Sequence, residues 1–243
     1  MQAIWKEEVK IKVFETDLTG KLKLSFLFNH FQEAAGNHAA DLGVGYFQLK
    51  EKNLFWVLSR IKVNILRMPD WGEPLTITTW PKGIDKLFAL RDFNFIDSIG
   101  NIIVSGTSCW LLIEINNYKL HKIEELGIYV PEENKLNHAL SETLEKIKPL
   151  EVIHEVYQHK VTFNEIDIHQ HVNNSHYADW IADSLNPEIL EKPFIKSIQI
   201  NFLEETKFGE EIEIKHTKNE SQYYFEGLKK TVQVKIFQAL VEY

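Results

Sequence analysis

The chain has 243 residues, 44% of them apolar and 26% charged, which is typical of a globular protein with one large or two small domains. Its net charge of −8 argues against nucleic-acid binding, and its one cysteine, Cys109, excludes an intrachain disulfide. No run approaches the ~18 apolar residues of a membrane helix, and the N-terminus does not resemble a signal peptide, so we expect a cytoplasmic protein without a membrane span.

The first half of the chain predicts a strand, a long helix and then antiparallel strands. Apolar residues alternate with lysines over Glu8–Phe14, which indicates a half-buried strand. From residue 23 to residue 42 they recur at spacings of three and four, which predicts a helix buried on most sides. Further strands are predicted at 55–66, 75–80, 88–97 and 102–115, the last two forming a hairpin.

Residues 116–150 have a different composition. They are rich in Glu, Lys and Asn and contain few large apolar residues. We interpret this segment as a surface linker with short helices, for example at 141–148, between domains at 1–115 and 151–243. The second domain then repeats the first pattern, with strands at 152–163, 195–203, 211–215, 223–228 and 231–241 and a helix at 175–185.

The two halves of the chain also match each other residue by residue. Ile61–Ile65 resembles Ile198–Phe202, 137 residues later (198 − 61), and Trp71-Gly72 matches Phe208-Gly209 at the same spacing. Upstream, Asp17 matches Asp167 at a spacing of 150 residues (167 − 17). Repetition on this scale indicates a duplicated domain.

The stretch Phe163–Leu185 carries the candidate chemistry. Asp167, His169 and His171 alternate, so in an extended strand or near-extended turn all three would face one side. Asn173 or Asn174 would cap a following helix, whose first backbone N–H groups can bind negative charge. A carboxylate and two imidazoles would then converge on the mouth of a helix, as a hydrolytic site without a nucleophilic serine requires.

Two other interpretations of this stretch remain open. Asp and His also occur in polar turns for conformational reasons alone. The spacing D-x-H-x-H also offers three ligands of the types that zinc uses. Because no cysteine lies nearby in the sequence to complete such a site, we predict neither a metal nor a cofactor.

The pattern D-x-x-x-H-V-N-N-x-x-Y over residues 167–177 resembles the catalytic motif of acyl-acyl-carrier-protein (acyl-ACP) thioesterases of plants and bacteria. His169 stands where that family usually has Asn. The resemblance implies an α+β double hotdog fold, in which each of two tandem domains has a long helix packed on a bent antiparallel sheet. The duplicated halves of this chain agree with that expectation.

The resemblance also implies a function and a set of site residues. We expect hydrolysis of acyl-ACP to free fatty acid and carrier protein, with Asp167, His169, His171 and the strand-end residue Glu204 as catalytic residues. Backbone N–H groups at Asn173 and Asn174 would form an oxyanion hole. The adjacent residue, Glu205, falls where plant members carry a cysteine, so a cysteine mechanism is not expected.

The first half has lost its copy of this constellation. It keeps Asp17 but has Thr19, Lys21 and Lys23 at the positions that match His169, His171 and Asn173. One active site is therefore expected, in the second half. In the family the first hotdog holds the acyl chain, which makes five aromatic residues candidate pocket residues: Tyr46, Phe47, Phe55, Trp56 and Trp71.

The expected partner is an acyl carrier protein, which is acidic and needs a local basic patch on this acidic chain. The candidate docking residues are Lys192, Lys196, Lys207, Lys229 and Lys230. An acyl-CoA thioesterase, a hotdog dehydratase and a non-catalytic acyl-binding hotdog remain alternatives. Monomer and homodimer are both open, because two hotdogs in one chain already supply the pairing that single hotdogs obtain by dimerising.

Overall fold

The structure is a computed structural model that describes residues 2–127, 130–148, 155–185, 195–219 and 221–243. Backbone contacts divide the chain into two compact units. One comprises Met1–Leu22 and Asn29–Leu144, and the other comprises Lys23–Phe28 and Glu145–Tyr243. Within the described ranges, no helix is both long and apolar enough to cross a membrane.

The first unit is built on an antiparallel sheet with the strand order β1-β3-β4-β5-β2. Its strands are β1 (Trp5–Lys10), β2 (Leu54–Ile65), β3 (Pro74–Asp85), β4 (Phe88–Ile96) and β5 (Ile102–Glu114). The helix α1 spans Leu24–Asp41, as its apolar periodicity predicts. A second helix, α2 (Tyr46–Glu51), was not predicted, because six residues are too few to establish a periodic pattern.

Aromatic packing joins α1 to this sheet. The ring of Phe31 stacks on Phe93 at a centroid distance of 4.4 Å and meets Phe95 edge-on at 5.2 Å. Gly106 of β5 makes room for this ring, since a Cβ atom at that position would lie 2.7 Å from the Cε2 atom of Phe31. Helix and sheet therefore share one apolar layer.

The segment after β5 contains short helical turns and bonds to the sheet of the first unit. It contains a 3-10 turn at Ile123–Leu126 and a short helix, α3 (Glu132–Lys135). The helix predicted near 141–148 is wrong, since the structure has no helix there. The chain preceding it instead bonds to buried sheet side chains. Asp92 accepts the N–H of Ala139 and Lys82 donates to the carbonyl of Leu140.

The second unit repeats the plan with the strand order β7-β10-β9-β8-β6. Its elements are β6 (Glu155–Lys160), α4 (His176–Asp183), β7 (Ser197–Phe202), β8 (Glu211–Lys218), β9 (Gln222–Lys229) and β10 (Val234–Glu242). The start of the predicted strand at 152–163 lies outside the described residues. Tyr177 of α4 packs edge-on against Phe202 and Phe237, at centroid distances of 5.2 and 5.4 Å. The predicted α+β double hotdog fold is confirmed.

Candidate active site

The motif residues lie in a tight turn rather than in an extended run. The N–H of Asp167 donates to the carbonyl of His171 (2.9 Å), and the N–H of Gln170 donates to the carbonyl of Asp167 (3.0 Å). Gln170 has φ 66°, in the left-handed region. The prediction that Asp167, His169 and His171 alternate along an extended chain is therefore wrong, because the turn folds back between the first and the last of them.

The side chain of Asp167 stabilises this turn. Its Oδ1 atom accepts the N–H of His169 at 2.8 Å, as in an Asx-turn. The first unit forms the same turn, with the N–H of Thr19 donating to Oδ1 of Asp17 at 2.7 Å. Turn geometry thus explains why both halves keep an aspartate. The chemical difference between the halves lies at His171, which is matched by a lysine in the first unit.

The buried carboxylate of Glu165 connects the motif turn to α4. Oε1 of Glu165 accepts a hydrogen bond from the Trp180 indole at 2.6 Å and lies 2.8 Å from Nε2 of His159. Its Oε2 accepts the N–H and hydroxyl of Thr162. Burial by itself would raise the pKa of the Glu165 carboxyl, but the hydrogen bonds from Thr162 and Trp180 outweigh it and lower that pKa. Glu165 therefore fixes α4 against the motif turn as an anion.

The end of β7 brings a second carboxylate to the motif. The N–H of Val172 donates to the carbonyl of Thr206 at 2.8 Å, and the hydroxyls of Tyr177 and Thr206 are 2.9 Å apart. These two bonds place Glu205 beside His171, with 2.9 Å between Oε2 and Nε2. Both side chains are partly exposed, so water can reach the pair.

The carboxylate that meets His171 therefore belongs to Glu205, not to the predicted Glu204. The N–H groups of Leu203 and Glu204 both donate to the carbonyl of Ile236 in β10, which continues the pairing of β7 with β10 past the end of β7. The chain bends at Glu204, and of the two glutamates Glu205 is the one that contacts His171. Glu204 is exposed to solvent.

Of the two predicted oxyanion donors, one is already engaged. The N–H of Asn173 donates to the carbonyl of Glu165 at 2.9 Å, and its Oδ1 accepts the N–H and hydroxyl of Ser175. Asn173 thus organises the start of α4, and its N–H is not available to a substrate. Asn174 is partly exposed just before α4 and remains the predicted donor, while His169 is exposed on the turn.

The surroundings of the pair are acidic. Burial raises the pKa of the Tyr177 hydroxyl, the hydrogen bond to Thr206 opposes the shift, and the charges of Glu210, Glu205 and Asp167 add to it. Tyr177 therefore stays neutral at physiological pH. In the ranges that the structure describes, no group of three or more His, Cys, Asp or Glu side chains is arranged to hold a metal ion.

Comparison with known proteins connects this geometry to a family. Residues 2–128 match the family described as "Acyl-ACP thioesterase N-terminal domain", and residues 150–239 match "Acyl-ACP thioesterase C-terminal domain". The chain belongs to the acyl-ACP thioesterase family. The motif resemblance is thereby confirmed.

This acyl-ACP thioesterase family member is similar to named proteins and to solved structures. The chain is 29% identical over 214 residues to a palmitoyl-acyl carrier protein thioesterase from Gossypium hirsutum, and the match covers 83% of this chain and 52% of the relative. A crystal structure of an acyl-ACP thioesterase from Bacteroides thetaiotaomicron is 27% identical, with a TM-score of 0.85, covering 99% of this chain and 97% of that one.

A 12:0-ACP thioesterase from Umbellularia californica shares the fold, with a TM-score of 0.85 at 22% identity, and covers 100% of this chain and 97% of that one. The chain spans about half the length of the first curated relatives that it matches, such as 52% of the cotton protein. Family and fold are therefore established, whereas activity and substrate are matters for proposal.

The five predicted pocket residues of this family member differ in exposure and contacts. Phe47 of α2 and Trp71 are largely exposed, at 77% and 65%. Trp56 donates its indole N–H to the carbonyl of Val44 within a buried cluster. Tyr46 contacts the ring of Phe47, and Phe55 meets Tyr118 at a centroid distance of 6.3 Å. Only Tyr46, Phe55 and Trp56 remain partly buried candidates for acyl contact.

The candidate docking lysines also divide into groups. Lys196 precedes β7 and Glu205 follows it, so a six-residue strand, about 20 Å long, separates them. Lys229 and Lys230 lie near the site but form ion pairs with Glu210 and Glu211, at 3.0 and 3.2 Å. Lys207 is exposed two residues after Glu205. Lys192 lies outside the described residues.

Proposed function

We propose that this chain hydrolyses acyl-ACP thioesters to a free fatty acid and the carrier protein. The observation that supports the proposal most is the contact between His171 of the family motif and Glu205 at the end of β7. The matching turn of the first unit has Lys21 in place of the histidine. One hydrolytic site per chain follows, in the second unit.

The proposed chemistry is direct attack by water. The His171–Glu205 pair removes a proton from a bound water as its oxygen attacks the thioester carbonyl carbon, a role in which a positioned base accelerates a reaction by about 10²–10⁴. The carbonyl oxygen becomes negative and is stabilised by the N–H of Asn174 and the positive end of α4. The C–S bond then breaks, and the thiol of the carrier's arm leaves with the proton.

The roles of the surrounding residues follow from their contacts. Glu165 and Tyr177 do not touch a substrate in this scheme. Glu165 holds the helix to the turn, and Tyr177 holds Thr206 and so the main chain that carries Glu205. Asp167 keeps the turn closed, and its negative charge acts on the buried Tyr177 hydroxyl beside the pair.

Product identification tests the proposal directly. The purified protein is incubated with acyl-ACPs of medium and long chain length, with the matching acyl-CoAs, and with enoyl and 3-hydroxyacyl thioesters. Free fatty acid released faster from acyl-ACP than from acyl-CoA supports the proposal. Preferential acyl-CoA hydrolysis, interconversion of hydroxyacyl and enoyl thioesters, or binding without turnover would each replace it by the corresponding alternative.

A further inference from the structure

Two exposed aromatic side chains lie beside the candidate site. Phe163 is 78% exposed and Phe208 is 65% exposed, and their rings meet edge-on at a centroid distance of 6.5 Å. We call these two residues the phenyl pair. Two large apolar side chains in mutual contact at the surface, rather than scattered singly, mark a candidate binding surface.

Main-chain bonds hold the phenyl pair in place. The N–H of Gly209 donates to the carbonyl of Val161 at 3.1 Å, and the N–H of Val161 donates to the carbonyl of Glu210 at 3.0 Å. The loop that carries Phe208 is thus fixed to the end of β6, from which Phe163 follows. A surface held by backbone bonds loses little conformational freedom when a partner binds.

The phenyl pair is continuous with the candidate site. Phe163 opens the 3-10 turn Phe163–Glu165, whose last residue supports the motif turn. Phe208 follows Glu205 by three residues in the same loop. A third exposed apolar side chain, Ile168, stands in the motif turn between Asp167 and His169. The exposed apolar residues therefore lie on the same two chain segments that carry His171 and Glu205.

Cations flank the phenyl pair. Lys160 precedes it at the end of β6, Lys207 is adjacent to Phe208, and both are exposed. The charges of Lys229 and Lys230 are already balanced by Glu210 and Glu211. The phenyl pair thus has an exposed cation on each of its two segments, while the carboxylates of Glu204 and Glu205 lie next to it on the segment of Phe208. The apolar rings and the two lysines complement a partner that carries apolar side chains among acidic ones.

We propose that the phenyl pair, with Lys160 and Lys207, is the surface on which the acyl carrier protein docks. The inference rests on the proposed function, because a substrate delivered on a tethered arm requires its carrier to dock close to the catalytic pair. Burial of two rigid aromatic rings supplies the affinity, and the lysines orient the acidic carrier. Lys196, at the far end of β7, takes no part.

The first unit provides matched controls. Val13 and Leu18 occupy the positions that match Phe163 and Ile168, and they are 61% and 81% exposed. They border a turn that carries Lys21 in place of the catalytic histidine. Val13 therefore shares the turn position and exposure of Phe163, and Leu18 shares those of Ile168, without a neighbouring catalytic pair.

The experiment measures binding separately from turnover. An ACP carrying an acyl chain through an amide, which the enzyme cannot hydrolyse, is titrated against wild type, the docking variants Phe163→Ser and Phe208→Ser, and the control variants Val13→Ser and Leu18→Ser. We expect each docking variant to bind at least about 10-fold more weakly and each control to bind within about twofold of wild type. Docking variants that bind like wild type would overturn the proposal.

A second readout separates this inference from the proposed function. Two substrates are compared by kcat/KM: acyl-ACP, and an acyl-pantetheine thioester that has no carrier protein. The ratio of the first value to the second should fall at least about 10-fold in the docking variants and should stay unchanged in the control variants. The wild-type protein could bind the amide-linked carrier through the phenyl pair and yet hydrolyse neither thioester. That result would refute the proposed hydrolysis but would support the phenyl pair as the docking surface.

Other occupants give different results. Carrier binding that is unchanged in Phe163→Ser and Phe208→Ser, together with loss of a dimer in sedimentation, would assign the surface to a second copy of the chain. Unchanged carrier binding with loss of sedimentation on phosphatidylglycerol vesicles would assign it to a lipid surface. Either result would overturn the carrier assignment.

Discussion

Nε2 of His171 lies 2.9 Å from Oε2 of Glu205, although the two residues are 34 positions apart in the chain (205 − 171). The bond between the N–H of Val172 and the carbonyl of Thr206 brings these two segments together. A histidine next to a carboxylate is an arrangement that accepts a proton from water. It is also the feature that the first unit lacks, since Lys21 occupies the matching position.

Asp167 combines a turn role with a proposed catalytic role, and Asp167→Asn separates them. The carbonyl oxygen of Asn can still accept the N–H of His169, so the turn should stay closed and the protein folded. Loss of the negative charge should lower kcat/KM for acyl-ACP by about 10² or more. The matched change Asp17→Asn, in the equivalent turn of the first unit, should leave the rate unchanged. A folded Asp167→Asn protein with the wild-type rate would leave Asp167 with the turn role alone.

Glu165 predicts a defined pH dependence of stability. Its folded-state pKa lies below the ordinary value of 4.5, so the unfolded chain takes up the proton first as the pH falls. The stabilisation is complete well above pH 4.5 and is lost as the pH falls through the lower folded-state pKa. Glu165→Gln should cost about 2 kcal/mol at pH 7, and the difference from wild type should shrink toward pH 3.

Urea titrations at pH 7, 5 and 3 measure this difference. Glu8→Gln, at an exposed position of β1, is the control and should change stability little at any of these pH values. A Glu165→Gln deficit that stays constant from pH 7 to pH 3 would show that the carboxylate charge does not contribute.

The contact between Tyr177 and Thr206 should be measurable as a coupling. Tyr177→Phe and Thr206→Val each remove one hydroxyl of a buried pair, so each should cost about 1 kcal/mol or somewhat more. Because either change already breaks the bond, the double variant should lose less than the sum of the two. Both single variants should also lower kcat, since they loosen the main chain that carries Glu205. Strict additivity of the two stability changes would contradict the bond.

Metal removal should have no effect on hydrolysis. Oδ1 of Asp167 is engaged by the N–H of His169, and Nε2 of His171 faces Glu205, so the D-x-H-x-H side chains are used in other contacts. We expect activity to survive exhaustive treatment with EDTA and 1,10-phenanthroline, and the purified protein to contain no stoichiometric zinc by mass spectrometry. Loss of activity that zinc restores would establish the metal interpretation instead.

The long periodic elements were predictable from the sequence, and the local geometry of the site was not. The periodic apolar pattern of α1 and the alternation along β2 are repeated many times, so both were placed within about two residues. The six residues of α2 offer no such repetition. The segment at 141–148 has a helical composition but follows a stretch bonded to buried side chains of the sheet, and composition does not reveal that.

The geometry of the candidate site could also be predicted only in part from the sequence. The motif identified Asp167 and His171, but alternation alone could not distinguish an extended run from the turn that the Asp167 side chain closes. Which of two adjacent glutamates faces the motif depends on where the pairing of β7 with β10 ends. That point is fixed by the bonds of Leu203 and Glu204 to Ile236, a residue more than thirty positions downstream (236 − 203 = 33). Long-range backbone pairing of this kind leaves no trace in a local pattern.

In the proposed reaction, Glu205, paired with His171, activates water for hydrolysis of acyl-ACP. The most direct test compares Glu205→Gln with Glu204→Gln, two isosteric changes at adjacent positions, by single-turnover release of free fatty acid from acyl-ACP. We predict a rate at least about 10²-fold below wild type for Glu205→Gln and a rate within about twofold of wild type for Glu204→Gln, with both proteins folded. A wild-type rate for Glu205→Gln would refute this role of Glu205, and a large loss for Glu204→Gln would assign it to Glu204 instead.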